Sequence, residues 1–112
     1  MKKISWDDFE GVELRAGTVT RVEDFPEAKI PAYKIWVNFG KEICVKKSSA
    51  QITKLYKKDE LIGKQIIGVV NFPQKQIANF ISEFLTTGFV SEDGKVVLAQ
   101  PERKVDNGAK LA

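Results

Sequence analysis

Histidine is absent from the 112 residues, cysteine and methionine occur once each, and no apolar run approaches the roughly 20 residues of a membrane span. The missing histidine removes the usual general base near neutral pH and the usual partner of a serine or cysteine nucleophile. Cys44 alone cannot close an intrachain disulfide, and without histidine beside it there is no Cys/His zinc cluster to assemble. Glu83 stands in no spacing to Asp7, Asp8 or Glu10 that would bring two carboxylates together, so no catalytic residue, metal or cofactor is expected. Met1–Glu10 lacks the apolar stretch of a signal peptide. These absences point to a cytoplasmic protein that binds rather than catalyses and does not insert into a membrane.

What is present is an ordinary globular composition, 43% apolar and 29% charged, in a chain the length of one domain spanning 1–112. The net charge of +3 is unevenly laid out. Residues 1–28 sum to −3, residues 29–75 to +7 and residues 76–112 to −1, the central segment holding ten lysines against Glu42, Asp59 and Glu60. A solvated face is one reading of such a field; the other is a surface for phosphates, since clustered lysines release counterions on binding nucleic acid. Lysine in place of arginine favours backbone contact over bidentate base reading.

Ser5 with Asp7 and Asp8 reads as a helix start, and Gly11 ends that helix, so residues 1–11 form an amino-terminal helical segment. Val12 to Val22 alternates with period two, the even positions forming the apolar face, and Gly17 allows a bulge or bend. Tyr33–Phe39 and Glu42–Lys46 read as a hairpin turning at Gly40-Lys41. Ser48 and Gln51 fit a capping box before a helix carrying Ile52, Leu55 and Tyr56. A buried strand follows from Lys64 to Phe72, then a turn or short helix over Gln74–Phe80, an extended run over Ser82–Phe89, a strand over Lys95–Ala99 and a carboxy-terminal extension over 100–112.

This order, mainly β with five strands and a helix between the third and fourth, is that of an OB-fold Greek-key barrel, whose ligand face is the outer side of strands two and three. That side is expected to carry Lys34, Trp36, Asn38, Cys44 and Lys46, an aromatic among cations. Trp36 either stacks on a base or packs under a loop. Cys44 reads as a small inert strand residue. Phe72, Ile77 and Phe80 are spaced for one apolar patch, either core or pocket.

Several stretches resemble the tRNA-binding-domain family of OB folds, and within it the CsaA group. These are Asp8-Phe9, Val12–Thr18, Pro26–Lys29, Tyr33–Ile35 and Phe39-Gly40, then Lys47–Thr53 with Tyr56, then Val69–Pro73, Lys75–Ala78 and Ser82-Glu83. The resemblance runs from Asp8 to Leu111. It implies a homodimeric, non-enzymatic module, related to structure-specific tRNA binders and described as a chaperone in preprotein export (protein secretion). The amino-terminal helix and carboxy-terminal extension would help form the dimer. The expected RNA-binding residues are Lys34, Trp36, Lys46, Lys47, Ser48, Ser49, Gln51, Lys54, Lys64, Asn71, Lys75 and Ser82. An alternative client, an unfolded preprotein or part of the export machinery, would use Phe72, Gln76, Ile77, Phe80 and Glu83. Lys46-Lys47, the single cation of Pro73-Gln74-Lys75 and the polar run Leu85–Gly88 depart from the family pattern.

Overall fold

The computed structural model describes all residues 1–112. The elements are α1 (Trp6–Glu10), β1 (Leu14–Asp24), β2 (Tyr33–Asn38), α2 (Gly40–Ile43), β3 (Val45–Ala50), α3 (Lys58–Leu61), β4 (Gln65–Val69), β5 (Lys75–Ile77), β6 (Phe80–Ser82), β7 (Leu85–Thr86), β8 (Gly88–Val90) and β9 (Val96–Leu98). Strands β3-β2-β1-β4-β7 hydrogen-bond in that order into one nearly closed antiparallel sheet, and β5–β6 and β8–β9 are separate hairpins. This is the OB fold. No helix is long and apolar enough to cross a membrane.

The 11-residue β1 belongs to both halves of the barrel, pairing with β4 through Leu14–Thr18 and with β2 from Thr18 onward. A bulge between Val19 and Arg21 resets its pleat. The expected apolar face of even positions therefore gives way to Val19 inside, Thr20 exposed and Val22 packed back onto the core. Ile35, Val37, Phe39, Leu61, Ile66 and Phe84 complete that core, with Phe39 and Phe84 edge to face at 5.0 Å. A Cβ on Gly17 would lie 2.5 Å from Val37 Cγ1 and 2.7 Å from Phe39 Cδ1, so this close approach needs glycine.

Three local expectations are corrected. The β2–β3 connection is a helical turn, α2, in place of a tight hairpin turn, and Cys44 at its end is exposed with φ +71° rather than packed on a strand. Ser48 is not a helix cap. It lies in β3, buried opposite Ile35, and donates its hydroxyl to Phe84 O at 2.9 Å, so helix formation is deferred to α3, where Lys57 N donates to Glu60 Oε1. The turn or helix expected over Gln74–Phe80 is the β5–β6 hairpin, turning at Ala78, whose φ is +52°.

The capped α1 forms as expected, with Ser5 Oγ accepting from Asp8 N and Asp8 Oδ2 accepting from Ser5 N. The carboxy-terminal extension runs along β1: Gly108 N donates to Ala16 O, Ala16 N to Ala109 O and Leu111 N to Leu14 O. Glu13 adds to this seam, accepting from Arg15 and from Lys110, and those two cations hold its carboxyl below the usual carboxylate range.

Candidate nucleic-acid interface

Two rows of side chains cross β1, β2 and β3 on the outside of the barrel, because directly opposed residues share a face. The register sets Arg21, Trp36 and Lys47 in one row and Glu23, Lys34 and Ser49 in the other. Lys46 pairs instead with the buried Val37, on the opposite pleat, and Cys44 precedes the strand. The expected phase rests on Ile43 and Val45 turning inward, but Val45 lies opposite Asn38 and is 53% exposed, so the outward positions of β3 are the odd ones and Lys47 takes the place expected for Lys46.

The β5–β6 hairpin lies against this face. Phe80 is buried with Phe25 and Ala32 in a second small cluster, to which Trp36 and Ile77 are appended. The Phe80 ring meets Phe25 at 5.5 Å and Trp36 at 6.1 Å, both edge to face. Cations cover the rings. Arg21 lies 4.5 Å from the Trp36 centroid, Lys34 Nζ lies 5.0 Å from Phe25 and 5.4 Å from Phe80, and Lys47 Nζ lies 5.2 Å from Phe80. A base stacking on Trp36 would share the ring with Arg21. The face thus holds three cations and one acid, Glu23, which is paired with Arg21.

Beyond Ser49 the face opens into a groove of about 450 Å³ lined by Ser49, Gln51, Phe72, Pro73, Lys75, Ile77, Ser82, Phe84 and Leu85. A neighbouring hollow of about 370 Å³ shares Ser49, Gln51, Lys75 and Ile77 and adds Gln76, Ala78 and the loop from Glu27 to Ala32. Residues expected to contact RNA and residues expected to contact peptide therefore line one continuous depression.

Other expected residues fall elsewhere. Asn71 bridges α1 to β1, donating Nδ2 to Gly11 O and accepting from Glu13 N. Lys54 reaches Asp93 O in the β8–β9 turn. Lys64 precedes β4 and accepts from Val19 N through its carbonyl. Glu83 ties the open edge of β3, its amide donating to Lys47 O and its Oε1 accepting from Lys47 N. Phe80 is buried beneath Lys34 and Lys47 rather than lining the groove. Arg21 and Lys29 were not singled out from the sequence. The bulge hides the face of Arg21, and Lys29 sits in the Pro26–Pro31 loop, where no periodicity indicates direction.

A small OB barrel with a cation-rich outer face and an adjoining groove belongs to the oligomer-binding class of this architecture. The family described as "Putative tRNA binding domain" matches residues 14–110. The solved chaperone CsaA of Bacillus anthracis is 49% identical, with a TM-score of 0.93 over 99% of this chain and 100% of that one. The CsaA chaperone protein of Picrophilus torridus is 53% identical, with a TM-score of 0.92 over 98% of this chain and 100% of that one. A methionine–tRNA ligase of Chlorobium phaeobacteroides is 34% identical over 96% of this chain, which spans only 15% of the ligase. The chain belongs to the tRNA-binding-domain family and, within it, to the CsaA group.

Proposed function

We propose that the protein is a non-catalytic binding module that, as a homodimer, holds tRNA or a similar RNA against the lysine-rich outer face of β1–β3. The observation that carries this reading is the face itself: Lys34 and Lys47 are half-buried over aromatic rings, while the chain's lysine ion pairs go to Lys58, Lys95 and Lys110. Lysines are seldom withdrawn from water without a carboxylate, and ammonium groups left without one are suited to phosphates supplied from outside. The family match and the methionine–tRNA ligase relatives support RNA as the polyanion.

Pairing of two copies would double a small surface. Support comes from α1, which buries no residue within the chain and leaves Trp6 69% exposed, and from Phe89 on β8, 70% exposed. A sedimentation mass of a single chain at micromolar concentration would refute the dimer.

A second reading is a chaperone that takes unfolded preproteins into the groove. It is favoured by Phe72 and Leu85, 54% and 50% exposed on the groove wall, and by the two CsaA neighbours. Titration with tRNA and with an unfolded presecretory polypeptide at two salt concentrations separates the readings. RNA binding through lysines weakens steeply with salt, whereas apolar capture changes little. No tRNA binding even at low salt refutes the first; polypeptide binding that vanishes at moderate salt refutes the second.

A further inference from the structure

We propose that Lys34 and Lys47 form a two-pronged phosphate site above the ring of Phe80. The inference deepens the RNA-binding reading and rests on it for its natural ligand. Lys34 faces Ser49 across the ladder and Lys47 lies two residues before Ser49, so the lysines are diagonal neighbours on one face, about 7–8 Å apart at the backbone. Both ammonium groups hang over the same ring, 5.4 and 5.2 Å from its centroid.

The two like charges share one ring, and neither makes an ion pair within the chain. Glu23, opposite Lys34, is paired with Arg21, and the Oε1 of Glu83 is taken by the amide of Lys47. A phosphodiester brings one negative charge and two non-bridging oxygens, one for each prong. The ring is fixed edge to face between Phe25 and Trp36, so the quadrupole that attracts both cations does not move. Phe80 is thus a positioning residue: it holds two flexible side chains in place before the ligand arrives, which reduces the entropy lost on binding.

The test has two arms. Lysine side-chain NMR of the intact protein is followed during titration with inorganic phosphate. The expected result is that the Lys34 and Lys47 signals move together and saturate while Lys54 stays still; movement no larger than that of Lys54 overturns the site. In the second arm, tRNA affinity is measured for Lys34→Gln, Lys47→Gln and the double variant, with Lys54→Gln as control. Each single change is expected to weaken binding about tenfold, the size of one charge-assisted contact, and the double change far less than a hundredfold because both prongs hold one phosphate. Effects that multiply fully, or that match Lys54→Gln, overturn the fork. If polyglutamate moves the two lysines at concentrations as low as phosphate does, the face is a carboxylate dock and the proposal is wrong. Phosphate-dependent shifts without any tRNA binding would refute the RNA reading and leave the fork standing. Phe80→Tyr, which keeps the ring, is expected to bind tRNA like the parent, and Phe80→Leu to bind more weakly with an unchanged salt slope; equal affinity of a folded Phe80→Leu protein overturns the role of the ring.

Discussion

Replacing Gly17 by alanine is the simplest perturbation of the barrel. The added Cβ would meet Val37 Cγ1 at 2.5 Å and the Phe39 ring at 2.7 and 2.8 Å, all well inside ordinary contact. Neither neighbour has room to yield: Val37 and Phe39 are 0% and 1% exposed, valine is stiff at χ1, and the Phe39 ring is braced by Phe84. Overpacking of this kind costs about 1–3 kcal/mol, and removing a glycine returns about 0.4–1 kcal/mol by restricting the unfolded chain. A net loss of about 1–2 kcal/mol corresponds to a melting temperature lower by about 4–8 °C for a domain of this size. Differential scanning calorimetry of parent and variant measures it directly. An unchanged or raised melting temperature would refute the packing of β1 on β2, and with it the physical reason for glycine in the Val12–Thr18 stretch.

Ala78 sits at φ +52° in the β5–β6 turn, a conformation that costs a non-glycine residue about 1–2 kcal/mol, so Ala78→Gly is expected to raise the denaturation midpoint, as read by urea unfolding. Glu13 has its folded pKa lowered by Arg15 and Lys110, so the stability it contributes is present above the unfolded value of about 4.3 and is lost as pH falls through the folded value. Melting temperatures followed from neutral to acidic pH should fall less for Glu13→Gln than for the parent; parallel curves would show that this carboxylate does not secure the carboxy-terminal seam.

The fold was legible because its signals are local and periodic. Tyr33, Ile35, Val37 and Phe39 alternate inward as the pattern requires, and Ser5 with Asp8 caps α1. What the pattern could not carry was register. The bulge at Thr20 decides that Val19 is core, and the helical turn α2, which takes Ile43 out of the strand and leaves Val45 exposed, breaks the alternation that would have set Lys46 rather than Lys47 outward. Ser48 illustrates the same limit, because the partner that draws it into a strand, the carbonyl of Phe84, lies 36 residues away. Ser49 and Gln51 of the groove are far apart in the sequence from its Phe72, Ile77 and Leu85, and the hairpin that pairs Lys75 with Ser82 brings them to one place.

The salt dependence of tRNA affinity tests most directly whether the outer face is a polyanion surface. If Arg21 and the Lys34–Lys47 pair on the face and Lys29 and Lys75 in the groove neutralise four phosphates between them, the logarithm of affinity falls against the logarithm of salt with a slope of about −3.6, a loss of about 150-fold between about 50 and 200 mM. A slope near zero, or no binding of tRNA at the lower concentration, would contradict it.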